Sequence, residues 1–133
     1  LIVVGYGKMG EMITSNSKVM GKGFRIVGVF DNDPQKIDQE IPGNLKIQNV
    51  DEVEDFIKKS PNKVETAILS VVKGQAQTAA EKLVKNGIKA ILNMTTYKLE
   101  LPKNVVVVNM DISAKLQELN FWRINLEENG EEQ

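Results

Sequence analysis

Gly5, Gly7 and Gly10, in the stretch "LIVVGYGKMGEM", are spaced G-x-G-x-x-G. That spacing suits a diphosphate, which is held by backbone amides rather than by bulky side chains. Gly5 permits a tight turn, Gly7 lets the backbone approach the phosphates, and Gly10 brings the following helix close to the sheet. Tyr6, Lys8 and Met9 fill the positions between them, and the Lys8 ammonium has the charge to meet a phosphate or the edge of a nicotinamide. About twenty residues later Asp31 ends an apolar run, with Asn32 beside it, where a carboxylate takes the hydroxyls of an adenosine ribose. A carboxylate there repels a 2′-phosphate, so NAD is favoured over NADP, and Arg25 lies too early in the strand to compensate. The plainer alternative leaves the glycines as a tight turn and Asp31 as a solvated turn former.

These groups need elements to position them. "LIVV" reads as a strand covered on both faces, followed by a helix over Lys8 to Met20 with Met9, Met12, Ile13 and Val19 near one side. "FRIVGVF" is the second strand, stopped at "DNDP" by Pro34. A weaker strand around "LKI" leads to Asp51 as an N-cap, and to a helix with Val53, Phe56 and Ile57 on one face. The alternation then repeats: "VETAILSVV" as strand, "GQAQTAAEKLVKN" as helix closed by Gly87, then "IKAILNM" and "VVVVNM" as strands. Alternating strands and helices with short links predict an α/β fold, a Rossmann-like doubly wound parallel sheet with helices on both faces. In such a sheet the ligand lies at the carboxyl ends of the strands, so Ser70, Val71 and Val72, and Asn93, Met94 and Thr95, are expected to face the other half of the cofactor. From Asp111 a terminal helix carries Ile112, Leu116, Leu119 and Trp122 at helical intervals, closing the domain at about residue 126. Residues 127–133, with four glutamates and no apolar residue, read as a frayed acidic tail.

Composition narrows the chemistry. The 133 residues hold neither cysteine nor histidine, which removes disulfides, thiol nucleophiles, zinc knuckles and the commonest general base. No metal site is expected, and any catalyst would rely on carboxylates, lysines or tyrosines. With 17 basic against 18 acidic residues, this segment is a poor DNA binder alone. No apolar run suits a membrane span and no leader is evident, so a soluble cytoplasmic protein is expected. The start inside an apolar strand suggests a piece of a longer chain.

"GVFDNDPQKI", "KLVKNGIKAILNM" and "LPKNVVVVNMDISAKLQELNF" together resemble the cofactor-binding C-terminal domain of Rex, the family of bacterial redox-sensing transcriptional repressors. The resemblance runs from Leu1 to about Trp122. It implies a homodimer that binds NADH and NAD+ in competition without turnover, so that no residue is catalytic, and that meets DNA only through an N-terminal winged-helix domain not contained in these residues. It implies that Gly5, Gly7 and Gly10 cradle the pyrophosphate, that Asp31 holds the adenosine ribose, and that Asn93 lies near the nicotinamide. It further implies that the terminal helix, with Asp111 and Ile112, crosses to the partner subunit. Asn16 stands where the family often has a tyrosine facing the partner's aspartate. "NMTT" from Asn93 to Thr96 replaces the common "NFAP", Val72 replaces a frequent proline, and Ile112 follows the crossing aspartate in place of an aromatic residue or leucine.

Two other functions remain open on the residues. The chain could be the cofactor half of a dehydrogenase, with Tyr97 or Lys98 exchanging a proton near the nicotinamide. It could also have drifted to another adenosine nucleotide such as coenzyme A, since the features kept recognise adenosine and phosphate.

Overall fold

The computed structural model describes residues 1–16, 21 and 23–131. Among these residues seven strands form one sheet in the order β3-β4-β2-β1-β5-β6-β7, with β1 (Ile2–Val4) at the centre and β3 (Glu40–Ile41) at one edge. β2 (Gly28–Asp31) and β4 (Leu45–Asn49) lie to one side, and β5 (Thr66–Leu69), β6 (Ala90–Asn93) and β7 (Val106–Asn109) to the other. All these strands pair in parallel. The strand order reverses on either side of β1, which places a crevice at the carboxyl ends of β1 and β5.

Alternation along the strands gives the sheet two apolar faces. On one, Ile2, Val4, Phe30, Ala67, Leu69 and Ile91 pack with Val53 of helix α2 (Val53–Lys59) and with Ala76, Ala80 and Leu83 of helix α3 (Ala76–Lys85). Each large side chain taken fully from water here contributes about 1.5–3 kcal/mol. Gly28 is required on this face, because a Cβ there would stand 2.9 Å from the Phe56 ring, which meets Phe30 edge to face at 5.3 Å. On the other face a register row of Ile47, Val29, Val3, Ile68, Leu92 and Val108 crosses six strands. Helix α1 (Lys8–Ser15) sets Ile13 against this face near the centre. The strip over β5 to β7 stays open, and Val108 is 58% exposed.

Several elements differ from the sequence expectation. The first helix closes at Ser15 with Asn16 as its C-cap; residues 17–20, with Val19, lie outside the described residues. Its buried positions are Gly10 and Thr14, with Ile13 partly buried against the sheet as expected, whereas Met12 is 49% exposed. β2 begins only at Gly28, and Phe24 is exposed. A strand missed in the sequence, β3 (Glu40–Ile41), pairs antiparallel with β4 across a turn in which Gly43 and Asn44 both take positive φ. Asn49, not Asp51, caps the turn leading into α2, its side chain accepting from the Asp51 amide at 2.9 Å.

The terminal helix α4 spans Ile112–Glu131. Asp111 caps it, accepting from the Ser113 amide at 3.0 Å. The expected frayed tail is therefore helical through Glu131, helped by the Arg123–Glu127 pair at 3.0 Å, one turn apart. Ile112, Leu116, Leu119, Trp122 and Leu126 are all exposed, so this helix does not lie on its own sheet. Among the described residues no helix is long and apolar enough to cross a membrane.

Candidate functional site

Gly5 leaves the carboxyl end of β1 with φ +101°, a conformation that favours glycine. A Cβ at Gly5 would collide with the Ser70 carbonyl at the end of β5, and one at Gly10 with the Gly5 carbonyl. The first and third glycines thus press strand, turn and helix together. Gly7 is different: nothing lies within 4 Å of where its Cβ would be. Gly7 is the N-cap of α1, so open space stands over the end of a helix whose first amides have no partner within the helix. A cradle closed below and open above fits a diphosphate.

Asp31 reaches that loop directly. Its Oδ2 accepts the Tyr6 amide at 2.7 Å and its Oδ1 accepts the Asp33 amide at 2.8 Å. A carboxylate offers about four acceptor positions, so capacity remains for sugar hydroxyls. The carboxyl is not turned away into solvent; it lines one cavity of about 570 Å³ with Gly5 and Gly7.

Of the residues expected from sequence, the cavity gathers Gly5, Gly7, Asp31, Asn32, Ser70, Val71 and Val72. Tyr6, Lys8, Met9, Gly10, Asn93, Met94 and Thr95 lie outside its lining. Lys8 is exposed beside the loop, and Gly10 acts beneath it. The Tyr6 ring packs beside the Val3 and Val29 face, where burial, then the charge of Glu11, raises its phenol above the ordinary range against a smaller opposing effect of the Ser15 hydroxyl.

Asn93, expected in the strand-end segment that faces the other half of the cofactor, ends β6 with its side chain engaged within the protein. It is fully buried, donating to the Tyr97 carbonyl at 2.8 Å and to Asn109 Oδ1 at 3.0 Å. Its own oxygen accepts from the Thr95 amide at 3.0 Å and from the Thr95 hydroxyl at 2.7 Å. Asn93 thus positions the segment after β6, and Tyr97 is held within it. Lys98 is exposed.

Sequence reasoning missed Lys36 and Lys82. Lys36 Nζ donates to the Tyr6 carbonyl at 2.9 Å, and Lys82 Nζ to the Val50 carbonyl at 3.3 Å. Both line the cavity with Asp33, Asp51, Gln75 and Thr78. The Asx-type turn at Asp33 was the one available signal for Lys36, since it sets a lysine one turn beyond the ribose carboxylate. Asn16, expected at a subunit contact, is exposed and bonds back to the Met12 carbonyl at 2.8 Å. Among the described residues no cluster of acidic side chains could hold a metal ion.

The sequence model of the CoA binding domain family matches residues 1–97. The redox-sensing transcriptional repressor Rex of Caldicellulosiruptor saccharolyticus is 41% identical over 121 residues, covering 91% of this chain and 54% of that protein. Among solved structures, RSP in complex with β-NADH matches with a TM-score of 0.85 at 34% identity, covering 98% of this chain and 62% of that one. RSP in complex with β-NAD+ and operator DNA matches with a TM-score of 0.84 at 34% identity, covering 98% and 58%. The chain thus spans little more than half the length of the proteins it matches. It belongs to the CoA binding domain family and is a homologue of the Rex redox-sensing repressors over 91% of its length.

Proposed function

We propose that this chain is the NAD(H)-binding sensor and dimerisation domain of a Rex-like redox-sensing transcriptional repressor, responding to NADH against NAD+ without turnover. The observation that carries the reading is the 2.7 Å bond from the Tyr6 amide to Asp31, which ties the diphosphate cradle to the ribose carboxylate inside one cavity. Gly5, Gly7 and the first amides of α1 hold the diphosphate, with Tyr6, Lys8, Met9 and Gly10 shaping that loop. Asp31 and Asn32 take the adenosine ribose, and Ser70, Val71 and Val72 flank the path toward the nicotinamide. Asn93, Met94 and Thr95 form the strand-end segment beside it. When bound, the nicotinamide supplies a reducible ring whose state is read rather than consumed. The names of the related repressors support this over a dehydrogenase.

The partner in this reading is a second copy. Ile112, Leu116, Leu119 and Trp122 form an exposed stripe on α4, and the strip over β5 to β7 is exposed and apolar at Val106 and Val108. Exchange of α4 covers apolar surface that one copy leaves in water, with Asn16 and Asp111 at the same contact. DNA is met through a winged-helix segment outside these residues, and the protein works in the cytoplasm without metal or membrane.

Titration calorimetry with NADH and with NAD+ tests the reading. Saturable heat with both ligands is expected, and the absence of binding by either at millimolar concentration overturns it. The family model's name favours one second reading, coenzyme A as ligand. Asp31 ends β2 in the cavity where a carboxylate repels a phosphorylated ribose, while Asp51 is paired with Lys82 at 3.7 Å, so the preference against coenzyme A rests on Asp31. Displacement of NADH by coenzyme A at comparable concentration would reverse that preference.

A further inference from the structure

Both backbone polar groups of Tyr6 are held by residues that follow β2. Its amide donates to Asp31 at 2.7 Å and its carbonyl accepts from Lys36 at 2.9 Å. The Tyr6 carbonyl belongs to the peptide whose N–H is that of Gly7, and in a trans peptide these two groups point in opposite directions. A lysine that fixes the carbonyl therefore fixes the direction of the Gly7 amide, at the residue that caps α1 and faces open space.

The support for Lys36 is itself braced. Asp31 Oδ1 accepts the Asp33 amide at 2.8 Å, and Asp33 Oδ1 accepts the Gln35 amide at 2.9 Å. The Asp33 carbonyl then accepts from the Lys36 amide at 2.9 Å and the Ile37 amide at 3.1 Å. This sequence of turns sets the base of Lys36, so its half-buried stem reaches back to the glycine loop without a long search through rotamers.

We propose that Lys36 is a positioning residue for diphosphate recognition: it holds the Tyr6 carbonyl so that the Gly7 amide is presented to the ligand before the ligand arrives. The proposal rests on the nucleotide-binding reading above. Lys36 acts through the peptide, because its ammonium donates to the Tyr6 carbonyl at 2.9 Å and so sets the plane that carries the Gly7 amide.

The experiment compares adenosine, ADP and NADH by calorimetry on the wild-type chain, Lys36→Met and Lys36→Arg, at low and high salt. Lys36→Met is expected to weaken ADP and NADH about tenfold, the scale of a charge-assisted hydrogen bond. Adenosine, which lacks the diphosphate, should be unchanged, and Lys36→Arg should restore most of the loss. The loss should persist at high salt, whereas a mere counter-charge effect is screened. Equal losses for adenosine and ADP, or a loss that vanishes with salt, overturns the proposal. So does an unchanged ADP affinity in Lys36→Met. Failure of the wild-type chain to bind ADP or NADH instead removes the nucleotide-binding reading, and urea denaturation of Lys36→Met separates a fold defect from a site defect.

Discussion

The side-chain amide of Asn93 donates to the side-chain oxygen of Asn109 at 3.0 Å, joining the ends of β6 and β7 at a point where the two residues are in register. Asn93 continues the row of Val4 and Leu69, so an apolar residue would fit the core there, but the chain leaving β6 needs donors and acceptors. Asn93→Ala leaves the Tyr97 carbonyl, the Thr95 amide and the Asn109 side chain without their partner. Unfolding in urea should show a loss of about 2–3 kcal/mol, the cost of stranding buried polar groups. Asn109→Ala, at an exposed position, should cost under about 1 kcal/mol. Equal losses from the two variants would contradict this division of labour.

The second and third glycines of the loop should respond oppositely to the same change. Gly10→Ala sets a methyl against the Gly5 carbonyl, a backbone atom that cannot swing aside. It should destabilise the fold by about 1–3 kcal/mol, as overpacking does. Gly7→Ala meets open space at φ −80°, an ordinary backbone conformation, so thermal stability should stay within about 0.5 kcal/mol of wild type. Its methyl would occupy the space assigned to the diphosphate, and NADH binding should fall at least about tenfold for lost close approach. Retained binding in Gly7→Ala, measured by calorimetry, would place the ligand elsewhere.

This contrast shows what the sequence made legible. The positive φ of Gly5, the open space over Gly7 and the approach of Gly10 to the Gly5 carbonyl arise within one turn joining β1 to α1, so spacing exposes them, whereas the press of Gly5 on the Ser70 carbonyl comes from sheet order. The hold of Lys36 on Tyr6 and the Asn93–Asn109 bond depend on sheet order and register, which no local window contains. β3 was hidden because two residues have no measurable period; only the turn at Gly43 and Asn44 marked it. The last turns of α4 were hidden for a different reason. Glutamates discourage burial but not helix, and the Arg123–Glu127 pairing turns one of them into local support.

Asp31 has two duties, and one substitution can weigh them. Asp31→Ala removes the acceptors of the Tyr6 and Asp33 amides together with the proposed ribose contact. Affinity for NADH should fall about a hundredfold, near what two charge-assisted hydrogen bonds contribute. Asp31→Asn still offers one oxygen, so its loss should be smaller. A fall in NADH affinity that exceeds the stability lost to the two freed amides, with dimerisation preserved, is the expected outcome, by calorimetry alongside urea denaturation and sedimentation. An unchanged affinity in Asp31→Ala would separate the carboxylate from the ligand.

Tyr6 offers a probe of pH. Burial, and then the charge of Glu11, favour its neutral phenol in the fold, and the Ser15 hydroxyl opposes them less strongly. A folded pKa raised above the unfolded value gives a contribution fully present below the unfolded value and lost as pH rises through the folded one. Tyr97 is the only other tyrosine. The difference in ultraviolet titration between wild type and Tyr6→Phe should therefore place the Tyr6 midpoint above that of a free phenol. A midpoint at or below it would contradict the packing described.

The terminal helix carries the strongest claim about assembly. A 20-residue helix that packs on nothing is marginal in water, and burial of an apolar face is what ordinarily sustains one. Here Leu119 is 65% exposed and Trp122, the only tryptophan, 57% exposed. If a second copy receives this helix, the full chain should sediment as a dimer, while a chain ending at Asp111 should sediment as a monomer. Trp122 emission should then shift to longer wavelength on dilution below the dimer dissociation constant, as its ring returns to water. A full-length chain that is monomeric at every concentration, with Trp122 emission already that of a solvated indole, would leave α4 without the partner assigned to it.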